Sequence, residues 1–200
     1  MSRLAPLTIA VALTLFASVA AQACAMYRPP QQPSSKTFAV AMTLEAGGNE
    51  KAAIKSYEQV MNHGKALLEQ RVVSAIHAGR LHQKAGHKDL SLRRFERAVA
   101  LDAKSYEARL ALGWSLLHRG ELNDAERQLT TAVALGDRMN GEAGDALAAL
   151  SIVLSRQERH SEAVDQLGAA RLMGASATSL AEAEAAVLSR ATPTALAIQI

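Results

Sequence analysis

Residues 106–139 read YEARLALGWSLLHRGELNDAERQLTTAVALGDRM, and they decide the fold. Ala and Leu, both strong helix formers, dominate the stretch. Gly120 divides it where a turn between two helices is needed. Each half carries a small residue, Gly113 in the first and Ala125 in the second, so that two antiparallel helices can approach closely. The same plan recurs on both sides of the stretch. Small anchors stand at Ala53, Ser91, Ala125 and Ala163, spaced 38, 34 and 38 residues apart. Four residues after them come Tyr57, Phe95, Leu129 and Leu167, and three further on Val60, Ala98, Ala132 and Ala170. Twelve residues before the anchors are Ala41, Gly79, Gly113 and Ser151, all small. A turn glycine recurs at Gly48, Gly86 and Gly120, with Glu158 in its place in the last copy.

Composition agrees with an all-α chain. Of 200 residues 41 are Ala and 26 Leu, while Phe, Tyr and Trp together number seven. A 49% apolar fraction with 20% charged residues is too rich in core formers for a disordered chain. One Cys excludes an intrachain disulfide framework and a Cys-rich metal finger. A formal charge of +3 is mild for this length and gives no basic patch of the density nucleic-acid binders carry, so nucleic acid is not expected as a partner.

A 34-residue period with a small residue in each helix and a turn between them resembles the tetratricopeptide repeat (TPR). Gly79 and Gly113 stand where that family has its first-helix Gly, and Ser91, Ala125 and Ala163 where it has its second-helix Ala. Phe95 fits the family's aromatic position, and Ala98 and Ala132 its second Ala. Ala103 and Asp137 replace the Pro that usually closes each repeat. The resemblance implies an all-α solenoid of four helix pairs, at about 34–67, 72–105, 106–139 and 144–177. Two four-residue excesses fall between repeats, where a solenoid tolerates insertion. One is residues 62–65, where Gly64 is expected to end a helix in the left-handed conformation, and the other is the glycine-containing loop 136–144. Residues 176–190 form a further helix, with Ser179 and Glu182 at capping-box spacing, and 178–190 are expected to cover the end of the last repeat. Thr192-Pro193 ends it and leaves an apolar tail within 191–200.

The first 23 residues read as an export signal. Arg3 supplies the positive start, residues 7–19 the apolar run, and Ala21-Gln22-Ala23 a small-x-small cleavage site. At 13 residues the run is short for a membrane span, which needs about 20. Cys24 follows immediately, and the stretch 21–24 resembles a bacterial lipoprotein signal, with Ala21 where that pattern favours Leu, Ile or Val. The resemblance implies that Cys24 becomes the acylated first residue and anchors the protein in a membrane. With Ala25 next, it implies the periplasmic face of the outer membrane; without the lipid, the chain would be soluble in the periplasm. Residues 24–34, with three of the five prolines, read as a tether.

No catalytic pattern accompanies the repeats. The six histidines form no HExxH pair, and His77 and His82, five apart, lie on different helix faces. There is no GxSxG, GxxxxGK[ST] or GxGxxG, so neither an enzyme nor a cofactor or metal site is expected. Binding remains. In TPR folds the first helix of each pair lines a concave groove. Carried onto this chain, that implies Phe38, Met42 and Glu45 from the first repeat, and Val73, Ile76, Arg80, Gln83 and Lys84 from the second. The third gives Glu107, Leu110, Trp114, Leu117 and His118, and the fourth Asp145, Ile152, Ser155 and Arg156. Such a surface is apolar at its centre with basic residues to one side. Trp114, the only Trp, is its natural hot spot.

Signal, Cys, tether and four repeats together resemble the small TPR lipoproteins of tight-adherence (Flp/Tad) pilus systems. That resemblance implies a non-enzymatic scaffold whose protein partner, a helical or extended segment, belongs to a secretin or pilus component. Two other readings stay open on the residues alone: a generic periplasmic TPR adaptor of outer-membrane or cell-wall enzyme complexes, and an accessory protein holding a small ligand in its groove. Self-association is equally open.

Overall fold

The structure is a computed structural model that describes residues 33–136 and 143–189. The export signal, Cys24, most of the tether, loop residues 137–142 and the apolar tail lie outside the described residues. Within them the chain forms α1 (Pro33–Ala46), α2 (Glu50–Asn62), α3 (Leu68–Lys84), α4 (Lys88–Leu101) and α5 (Tyr106–Arg119). These are followed by α6 (Leu122–Gly136), α7 (Gly144–Arg156), α8 (His160–Leu172) and α9 (Ala177–Leu188), with no strand among the described residues.

Local chemistry places the boundaries. α1 begins on Pro33, whose fixed φ and missing N–H suit the first helical position, so the helix takes in the last proline of the expected tether. Asn49, Ser105 and Ser176 cap α2, α5 and α9, each side chain accepting a backbone N–H three residues on. The helix-pair turns pass through the left-handed region at Gly48, Gly86 and Gly120, and at Glu158 with φ 65°. The fourth turn therefore has the shape of the others without their glycine. Gly174 plays the same part between α8 and α9.

Two boundary expectations are corrected. Gly64 does not adopt the left-handed conformation. Instead α2 ends at Asn62, and an extended His63 donates its N–H to Val60, so the helix closes one residue before the glycine is reached. The capping box of α9 is also displaced. Ser176 is the N-cap and accepts from the Ser179 N–H at 3.3 Å, which places Ser179 inside the first turn instead of at the cap.

The four pairs α1/α2, α3/α4, α5/α6 and α7/α8 stack in sequence, each second helix also packing on the first helix of the next pair. Along the array α1 touches α3, α3 touches α5, α5 touches α7 and α7 touches α9, so the first helices form one layer. The repeat columns are the packing columns. Ala53, Ser91, Ala125 and Ala163 are all buried, as are Tyr57, Phe95, Leu129 and Leu167. Gly79 faces the Phe95 ring, where a Cβ would come within 2.5 Å, and Gly113 faces Leu129, where it would come within 2.6 Å. The core is strung along the array in three clusters, the largest running from Phe95 on α4 to Val187 on α9.

α9 continues the repeat as a fifth first helix. Its Ala183 and Val187 are buried against α7 and α8. It is tied down by the Ser176 N–H to Asp145 Oδ1 at 2.8 Å, and by Ser155 Oγ, which donates to the Ala186 carbonyl at 3.0 Å. α7 is thereby buried on every side from Ala146 to Ser155, as its apolar sequence requires. Gly144 at its start lies against the α8–α9 loop, where a Cβ would stand 2.4 Å from the Ala175 backbone nitrogen.

Candidate protein-binding groove

The layer of first helices carries two clefts that share Arg80, Glu107, Leu110 and Asp145. The larger, about 850 Å³, runs over α3 and α5 on a floor of Leu68, Val72, Val73, Ile76 and Leu110. The smaller, about 330 Å³, opens between α3, α5 and α9 and is walled by Trp114 and His118 on one side and Thr178, Ser179 and Glu182 on the other. α5 and α9 both pack on α7, and a side-chain pair reaches between them. His118 Nε2 stands 3.6 Å from Glu182 Oε1. The half-buried Trp114 ring stacks on His118 with centroids 5.5 Å apart, and His118 Nδ1 lies 2.8 Å from the Trp114 carbonyl.

The structure gathers eight of the expected groove residues with usable surface: Val73, Arg80, Gln83, Glu107, Leu110, Trp114, His118 and Asp145. Others fall elsewhere. Leu117 and Ile152 are fully buried and Ile76 is 1% exposed, so the first two belong to the helix packing and Ile76 only edges the floor. Ser155 is likewise buried under α9. Packing of α9 on α7 covers the concave face the fourth repeat was expected to show. Phe38 packs edge-on against Tyr57, and Met42 is exposed on α1, both away from the two clefts. Lys84 Nζ turns to Glu50 at 2.6 Å, and Arg156 donates to the Leu117 carbonyl at 3.1 Å, closing the end of α5.

The expected basic side is therefore not presented. Arg80 is paired with Glu107 at 2.8 Å, and Lys84 and Arg156 are committed outside the clefts. The acidic wall contributed by Glu182 was not anticipated from the sequence.

A second polar cluster joins the first two repeats. Tyr57 Oη donates to Glu45 Oε2 at 2.6 Å, and His77 Nδ1 lies 2.8 Å from the same oxygen. Burial pushes the Glu45 carboxyl up, but the hydrogen bonds from Tyr57 and His77 and the charges of His77 and Arg80 outweigh it and hold the group below its ordinary value. Burial and the Glu45 contact push the Tyr57 phenol well up. Near it, His82 is buried with Nε2 3.6 Å from Glu58, and burial lowers its pKa. Among the described residues no three His, Cys, Asp or Glu side chains stand together as a metal site. No described helix is long and apolar enough to cross a membrane.

No family model and no curated protein matches the sequence. Solved structures do match. The crystal structure of MamA superposes with a TM-score of 0.62 at 20% identity, over 82% of this chain and 86% of that one. YrrB, described as a TPR protein with an unusual peptide-binding site, gives 0.60 at 19% identity over 76% and 75%. A tetratricopeptide repeat protein from Parabacteroides merdae gives 0.63 at 13% identity, over 77% of this chain and 58% of that one. This chain has the TPR fold. At these identities the likeness fixes the architecture. The TPR solenoid has the expected four pairs and terminal helix, and that helix in addition walls the smaller cleft.

Proposed function

We propose that this chain is a non-enzymatic TPR adaptor that holds a segment of a protein partner in the clefts over α3, α5 and α9. The observation that carries this reading is the continuous apolar floor from Leu68 to Leu110, leading to a half-buried Trp114 between two groove walls. An aromatic anchor in a partly desolvated concavity is the usual energetic centre of a protein interface. A groove of this form takes an amphipathic helix or an extended peptide. YrrB, a TPR protein with a peptide-binding site on a similar scaffold, supports the same class of ligand.

The setting we propose is the cell envelope. Residues 1–23 have the form of an export signal, and Cys24 stands where acylation would anchor the mature chain in the outer membrane, facing the periplasm. Several acyl chains would give durable anchoring, at about 0.8 kcal/mol for each buried methylene. The plan of signal, Cys, tether and repeats supports a role in assembling a tight-adherence pilus or its secretin. Palmitate labelling of the wild type and of Cys24→Ser tests the anchor; label in both, or in neither, overturns it. Co-purification of the secretin with the wild type and with Trp114→Ala tests the groove. Equal recovery at equal melting temperature overturns it.

A further inference from the structure

The groove is charged against the rest of the molecule. The whole chain carries a formal +3, yet the two clefts are lined by five carboxylates (Glu69, Asp102, Glu107, Asp145 and Glu182) against Arg80 and Lys104, leaving −3. The internal partners do not cancel this. Arg80 neutralises Glu107, whereas among the described residues Asp102 and Asp145 accept from backbone N–H groups, of Lys104 and Ser176. Among the described residues, the ring of His118 is the one basic group near Glu182, at 3.6 Å. No described cation stands within ion-pair distance of Glu69. Beside the smaller cleft's acid stands the one indole of the chain, whose π-face attracts a cation.

Resting on the reading of these clefts as a peptide groove, we propose that the occupant is a cationic amphipathic segment of a protein partner. Its apolar face lies on the floor formed by Val72, Val73 and Leu110. A Lys or Arg side chain enters the smaller cleft beside the Trp114–His118 stack and reaches Glu182, and further basic residues follow Asp102 and Glu69 along the larger one. Arg suits the smaller cleft better than Lys, because its planar fork can bond the Glu182 carboxylate through two N–H groups at once. Complementary charge would steer encounter and select partners, and apolar contact would hold them.

Trp114 makes the test direct, since the intrinsic tryptophan fluorescence of the full chain comes from that cleft. The probes are three synthetic amphipathic peptides of identical apolar face whose polar face is Arg, Gln or Glu. The Arg peptide should shift Trp114 emission and bind at least tenfold more tightly than the Glu peptide at low salt. That difference should shrink as salt is raised, because exposed charges are screened. Glu69→Gln combined with Glu182→Gln, with an unchanged circular dichroism melt, should reduce the Arg preference about tenfold. Equal binding of the Arg and Glu peptides, or an Arg preference unaltered in the double variant, overturns the cationic assignment while leaving a peptide groove in place. If no peptide perturbs Trp114 and none binds, the groove reading falls with it.

Discussion

Tyr57 Oη donates a 2.6 Å hydrogen bond to Glu45 Oε2, and the same oxygen meets His77 Nδ1 at 2.8 Å, so one carboxylate joins α1, α2 and α3. Glu45 is held below its ordinary pKa, and that fixes the sign of a pH effect. A carboxylate with a depressed folded pKa stabilises the protein above its unfolded value, and that stability is lost as pH falls through the folded value. Glu126, depressed against burial by Arg159 and Gln157, adds to the same acid-side loss. Glu45→Gln should therefore cost about 1 kcal/mol at neutral pH, since bonds to a charged acceptor contribute about 1.5–3 kcal/mol and this one is partly exposed. The variant and the wild type should converge in acid, once the folded carboxyl is protonated. Urea midpoints at the two pH values check this; a difference independent of pH would show that shape, not charge, is what Glu45 contributes.

Gly113 and Gly144 are both helical and both crowded, but against different neighbours. A Cβ on Gly113 would meet the Leu129 side chain at 2.6 Å, and that side chain can shift. On Gly144 it would meet the backbone of Ala175 at 2.4 Å, which can move only if the α8–α9 loop moves. Alanine gains about 1 kcal/mol of helix propensity over glycine at either site, opposed by overpacking of about 1–3 kcal/mol. Gly113→Ala should be mildly destabilising and Gly144→Ala clearly more so. Thermal melts of the two variants give the order directly.

Glu158 adopts φ 65° at a turn where the other repeats have glycine. An L-residue there costs about 1–2 kcal/mol, from the approach of Cβ to the backbone. Glycine removes that cost but frees the unfolded chain, returning about 0.4–1 kcal/mol. Glu158→Gly should thus stabilise the protein by about 0.5–1 kcal/mol, raising the melting temperature by roughly 1–4 °C for a chain of this size. A lower melting temperature would show that the Glu158 side chain makes a compensating contact.

Much of the fold was legible because close helix packing imposes itself on sequence. Ala41, Gly79, Gly113 and Ser151 had to be small, and the positions four beyond each second-helix anchor had to be large. The groove was only half legible. Leu117 and Ile152 sit at register positions that face a concave surface in an open array, but curvature is a property of several helices at once. Here α9 and α5 both pack on α7, and both residues are buried in that packing. Glu182 reads as a capping-box residue and not as a wall, since a helix read only as a cover shows none. The ion pair that draws Lys84 to Glu50 and the hydrogen bond that draws Arg156 to the end of α5 depend on rotamers that spacing does not encode.

α9 should behave as a separable wall of the smaller cleft. Its N-terminus rests on two contacts, the Ser176 N–H to Asp145 and the Ser176 hydroxyl accepting from Ser179. Removing a Ser cap costs about 1 kcal/mol, enough to open a terminal helix several-fold more often without unfolding the array behind it. Ser176→Ala and Asp145→Ala should each speed hydrogen exchange across α9, with much less effect in α3 and α4. Both contacts serve the same helix end, so the double variant should show less than the sum of the single effects. Opening would also draw Glu182 away from His118 and expose Trp114, so its emission should move to longer wavelength in step with the exchange. Faster exchange in α9 with unchanged Trp114 emission would mean that α5 alone shapes the indole's surroundings, and that the cleft keeps its aromatic wall when α9 leaves.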